Sequence, residues 1–183
     1  MLRIASLATL CACALMTGAA IAQSMEATPI PLQPKPDLTP MTYFTGTWAC
    51  AYKSARRPTP QRYTTVATLD PGGRWIVEKT KIMPVSWFPH AQFVVDMVTY
   101  DPNAKRWVDV ETDSLGGYDL SASSGWTGDT MVWKDLAFVP ARDVVSASET
   151  TLTKVSDAKY TATASFKTKK GRVVGVTTTC TKT

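Results

Sequence analysis

From about residue 44 onward, short segments rich in Val, Thr, Ile, Tyr, Phe and Trp alternate with turn signals. The turns read as Asp70-Pro-Gly-Gly73, Asp101-Pro-Asn103, Gly116-Gly117, Gly125 to Asp129, Pro140 to Asp143, Ser156-Asp157 and Lys170-Gly171. Residues of these types favour a pleated, half-buried surface, and turn residues at such intervals bound strands. About ten strands are predicted and no long helix. Thr39 to Phe44 is read as one helical turn leading into the first strand. Evenly spaced short strands predict an all-β chain, an up-and-down barrel or a sandwich.

Side chains two apart on a strand share a face. In the first strand, Trp48, Cys50 and Tyr52 share one face; in the last, Val174, Val176, Thr178 and Cys180 do. Tyr160, Ala162, Ala164 and Phe166 form a third such face. Both cysteines therefore fall on the more apolar face, on strands at opposite ends of the chain. Neighbouring strands lie about 4.8 Å apart, within disulfide reach. First beside last is also what closes a meander into a barrel and removes its open edges. An antiparallel pairing with Cys50 opposite Cys180 sets Trp48 opposite Lys182, whose stem then covers the indole. The alternative is a frayed C-terminal lysine. Gly46 is expected to let the chain turn into the first strand.

The N-terminus changes the picture of compartment. Arg3, the apolar run Ile4 to Met16 and Ala20-Ile21-Ala22 have the form of a signal peptide, residues 1–22, cleaved before Gln23. The run is too short to span a bilayer, so no transmembrane segment is expected in the mature chain. Cleavage removes Cys11 and Cys13 and leaves Cys50 and Cys180, which an oxidising compartment favours as a disulfide. The expected location is periplasmic or secreted. Residues 23–40 carry Pro29, Pro31, Pro34, Pro36 and Pro40 and are read as a Pro-rich leader. Residues 41–183 suffice for one β-barrel domain. The formal charge is +5, or +4 once Arg3 is removed. The basic residues are scattered and no nucleic-acid motif occurs, so no nucleic-acid partner is expected.

Gly46-Thr-Trp48 resembles the Gly-x-Trp of the calycin barrels, which include lipocalins and fatty-acid-binding proteins. "GGRWIVE" at 72–78, "YDPNAKRWVDV" at 100–110, "GWTGDTMVWKD" at 125–135 and "TLTKVSDAKYTATASF" at 151–166 resemble the bacterial DUF1579 family, itself similar to nitrobindin-like barrels. The resemblance implies a calycin-like, antiparallel up-and-down β-barrel of about ten strands with a central cavity, its first and last strands adjacent. Nitrobindin-like proteins carry Gly-x-Trp-x-Gly-x-Gly and a haem-ligating histidine near the C-terminus. Here Trp48 is followed by Ala49, Cys50 and Ala51, and no histidine follows His90. No haem or other cofactor is therefore expected.

Candidate chemistry is sparse. His90, the only histidine, sits in a Pro-rich stretch and is read as an exposed or capping loop residue. Glu78, Asp96, Asp109 and Glu111 lie in strand interiors. Pointing inward they polarise a ligand or act as acid and base; the plainer reading is a solvated acidic face. No phosphate loop, nucleophile elbow or metal-ligand spacing occurs, and no catalytic residue is assigned. The leading expectation is a binding protein for a small apolar or amphipathic molecule. Trp75, Val95, Met97, Tyr160 and Phe166 are expected to line the interior, with Trp87 and Phe88 at the mouth in the 83–90 loop. An envelope structural or interaction protein with a filled barrel, in contact through that loop, is the alternative; an enzyme using the barrel carboxylates comes third.

Overall fold

The computed structural model describes residues 32–57, 59–139, 144–168 and 170–183, with only the backbone of 144–148. The expected signal peptide, residues 23–31 of the leader and the turn at 140–143 lie outside the described residues. Residues 34–183 form one compact unit.

A 3-10 helix, Thr39–Phe44, precedes eleven strands. The Asp37 carboxylate accepts a hydrogen bond from the Thr39 amide at 3.0 Å, and Pro40 sits in the first turn, where its missing N–H costs nothing. The strands are β1 (Gly46–Ser54), β2 (Gln61–Leu69), β3 (Ile76–Ile82), β4 (Gln92–Asp101), β5 (Arg106–Asp113), β6 (Tyr118–Ser123), β7 (Trp126–Thr127), β8 (Thr130–Val139), β9 (Val144–Ser156), β10 (Lys159–Thr168) and β11 (Val173–Lys182). Each strand from β1 to β6 pairs antiparallel with the next; β8 to β11 do the same, β6 pairs with β8, and β11 returns to β1. Ten strands thus close a barrel, with the two-residue β7 hairpinned onto β8.

The closing seam has Cys50 opposite Cys180 and Trp48 opposite Lys182. The two sulfurs are bonded across 130 residues of sequence. In the chain-entropy model a crosslink of that span contributes about 5 kcal/mol, an upper figure. Gly46 has φ +113°, a region other residues rarely adopt, and a side chain there would come within 2.8 Å of the Lys182 stem. Lacking one, it leaves room for the Lys182 ammonium 5.2 Å above the Trp48 ring.

One end of the barrel is packed shut. Tyr43 from the 3-10 helix meets Trp48, Trp126 and Tyr160, Phe44 meets Trp126 and Tyr160, and Trp48 meets Tyr160, with ring centroids 4.9 to 6.4 Å apart. The polar atoms of Tyr43, Trp48 and Trp126 are satisfied. The Trp48 indole N–H donates to the Phe44 carbonyl at 2.6 Å, and that of Trp126 to Pro40 at 2.9 Å. The Tyr43 hydroxyl lies 2.8 and 2.9 Å from the carbonyls of Ser156 and Lys159 in the β9–β10 turn. The helix is thereby fastened to β1, the β7–β8 hairpin and the β9–β10 turn. Leu38, Met41, Ile76, Trp107 and Met131 complete this core.

Candidate functional site

Beyond the aromatic floor lies a cavity of about 480 Å³. Its lining reaches Tyr52, Gln61, Ile82, Gln92, Asp113, Tyr118, Val139 and Phe166, which are strand ends opposite the helix. The 83–91 connection joins β3 to β4 at this open end.

The two walls differ. On β9, β10, β11, β1 and β2 the inward positions are Leu152, Tyr160, Ala162, Ala164, Phe166, Val176 and Tyr52, with hydroxyls from Thr150, Thr178, Tyr63 and Thr65. On β3, β4, β5, β6 and β8 they include Glu78, Asp96, Asp109, Glu111, Asp119 and Asp135. Register makes a belt of four of these: Glu78 faces Asp96, Asp96 faces Glu111, and Glu111 faces Asp119. One rung toward the floor, Asp109 faces Ser121, which faces Asp135. Among the described residues, no lysine, arginine or histidine lines the cavity. Asp113, at the rim, is already engaged: it accepts from Gln92 at 3.0 Å and from the amides of Leu115 and Gly117.

Burial without counter-charge decides the protonation of the belt. Desolvation pushes the Glu78 carboxyl up to about 7. Asp96 and Asp109 are raised well above the usual range by desolvation first and by the neighbouring carboxylates second. Asp119 rises to about 7, again by desolvation and then by the charge of Asp135. Asp96 and Glu111 share a hydrogen bond, which requires that one of them carry a proton. Burial likewise raises the Tyr63 and Tyr160 hydroxyls, so both stay neutral donors.

The residues expected to line the interior divide. Tyr160 and Phe166 border the cavity on the neutral wall. Val95 and Met97 lie on the outer face of β4, where Met97 is exposed, and Val94, Asp96 and Val98 replace them inside. β4 is apolar on both faces, which left the orientation of Asp96 open; it shares the inner face with Glu78 and Glu111, its partners in register. Trp75 is also off the lining, because its neighbour Ile76 takes the inward position. Trp87 and Phe88 are part-buried at the open end without lining the cavity. Trp87 donates to the Thr59 carbonyl at 2.8 Å under the Arg57 guanidinium, and Phe88 bridges to Val85 and meets His90 edge-on. Asp109 and Glu111 form an inner face, where the plainer reading made them a solvated one. Asp119 and Asp135 went unremarked in the sequence; parity with the buried Ser121 and Trp133 was the available signal.

Fold and cavity together define a closed, ten-stranded, calycin-like antiparallel barrel. A crystal structure of Rv2717c from M. tuberculosis is similar, with a TM-score of 0.59 at 10% identity over 82% of this chain and 99% of that one. That likeness is one of fold. A Nostoc punctiforme protein of the DUF3598 family (TM-score 0.39, 14% identity, 86% of this chain and 53% of that one) and the S-type phycobiliprotein lyase CPES from Guillardia theta (0.37, 8%, 76% and 86%) match too weakly to carry an argument. No protein-family model matches the chain, and no curated protein does. Among the described residues no helix is long and apolar enough to cross a membrane.

Proposed function

We propose that this is an exported barrel that binds a small apolar or amphipathic molecule in its interior. The observation that carries the reading is a cavity of about 480 Å³ floored by packed aromatics and open at the opposite end. That volume is in the range of small-molecule sites. It also weighs against a filled, purely structural barrel. Tyr160, Phe166 and Leu152 offer apolar surface to such a molecule, and the threonine and tyrosine hydroxyls orient it. The Cys50–Cys180 disulfide supports export to an oxidising compartment, periplasmic or secreted. The DUF1579 resemblance belongs to this reading; its quoted stretches fall on the β2–β3, β4–β5, β7–β8 and β9–β10 hairpins.

A second reading has one observation in its favour. Asp96 and Glu111 share a proton beside the cavity, the arrangement general acid–base catalysis uses. Native mass spectrometry of the protein from its own host, before and after reduction, tests the binding reading. The expected result is an oxidised chain carrying a small molecule of constant mass. An oxidised chain that is empty, even when isolated under the mildest conditions, moves the assignment to the catalytic or structural reading.

A further inference from the structure

The interior is acid and the exterior basic. Among the described residues, seven carboxylates and no basic side chain line the cavity of a chain whose formal charge is +5. Three of these acids keep an oxygen that the fold does not use. Asp109 Oδ1, Asp119 Oδ1 and Asp135 Oδ2 are buried and accept no hydrogen bond. Asp109 is almost wholly enclosed by protein and lines the cavity. An isolated buried acceptor costs about 1–3 kcal/mol, and a carboxylate more. Three of them around one cavity, with no cation on the facing wall among the described residues, favour a positively charged ligand.

The form of the partner follows from the rest of the lining. No three acidic, histidine or cysteine side chains among the described residues are placed to hold a metal ion. The acids spread over two rungs and five strands. The opposite wall is Tyr160, Phe166, Leu152 and Val176, surface for a carbon skeleton. Aromatic faces also attract cations, and Tyr63 and Tyr160 stay neutral beside the belt.

We propose that the molecule bound in the interior is an organic cation, an amine or quaternary ammonium on an apolar body, its charge against Asp109, Asp119 and the Glu78–Asp96–Glu111 belt. This rests on the interior-binding reading and narrows it. The cation supplies the missing charge, and on binding the belt gives up protons that burial had retained.

Isothermal titration of the full, disulfide-intact chain with octylamine, 1-octanol and octanoate tests this at neutral pH, in two buffers of different ionisation enthalpy. Octylamine is expected to bind at least about tenfold more tightly than 1-octanol, with net proton release, and octanoate most weakly. Glu78→Gln with Asp109→Asn is expected to bring octylamine down to the affinity of 1-octanol. Proton release is read on the unaltered chain, so the test holds even if that variant fails to fold. Equal affinity for the three, or octanoate binding best, overturns the cation and leaves interior binding standing. Binding by none of the three at millimolar concentration overturns both. An octylamine preference untouched in a folded double variant overturns the role of the belt.

Discussion

The two walls of this barrel are built by the same alternation and do opposite things for stability. The wall of β9, β10, β11, β1 and β2 turns inward rings, methyls, hydroxyls and a disulfide, none of them charged. The wall of β3, β4, β5, β6 and β8 turns inward six carboxylates, four of them in directly facing register. Like charges opposite one another on a sheet destabilise it, and buried acid oxygens without a partner, as on Asp109, Asp119 and Asp135, cost more again. The neutral wall and the aromatic floor hold the barrel together, and the acid wall draws on the stability they provide. Groups that break the rules of folding without local compensation mark functional sites.

That contrast is sharpest where side chains are removed. Trp48 is almost wholly buried in the floor, and Trp48→Ala is expected to cost about 3–5 kcal/mol, read as a lower denaturant midpoint. Cys50→Ala with Cys180→Ala unties the seam and is expected to cost about 2–5 kcal/mol in the same assay. A variant as stable as the parent breaks the view that this side carries the fold.

On the acid wall the effects reverse sign. An unfolded glutamate titrates near 4.5, and folded Glu78 near 7. Between those values the folded chain holds a proton that the unfolded chain releases. The stabilisation linked to that proton is complete below pH 4.5 and is lost as pH rises through 7, by about 3 kcal/mol for this group. Asp96, Asp109 and Asp119 shift in the same direction. Denaturation midpoints are therefore expected to fall steadily from pH 5 to pH 8, and a flat profile contradicts the buried belt. Glu78→Gln removes the titrating group and is expected to raise stability at pH 8 by about 1–3 kcal/mol while flattening that slope. The smallest effect belongs to the seam: Lys182→Ala is expected to cost about 0.5–1 kcal/mol through loss of the cation above Trp48.

Much of the neutral wall is legible in the linear sequence. Trp48, Cys50 and Tyr52, Val176, Thr178 and Cys180, and Tyr160, Ala162, Ala164 and Phe166 each alternate against small or polar residues, so period two identifies the inward face. The register of the seam follows from the cysteines, because a disulfide admits few alignments of two neighbouring strands. On β4 the same reasoning has no purchase. Phe93, Val95 and Met97 oppose Val94, Asp96 and Val98, and the apolar count favours the face that turns out to lie outside. The choice of Val95 and Met97 as lining followed that count, and Val94, Asp96 and Val98 line the cavity instead.

What the amino-acid order determined by itself is the strand inventory, the all-β class, the pairing of first strand with last and the inward face wherever polarity alternates cleanly. These depend on residues close in sequence, or on a covalent bond between two of them. The tertiary structure alone decided that carboxylates from five strands face one cavity with no basic residue among its described lining. Their inward orientation is set by partners on neighbouring strands, and their raised affinity for protons by the low dielectric those strands enclose. Neither exists until the barrel closes.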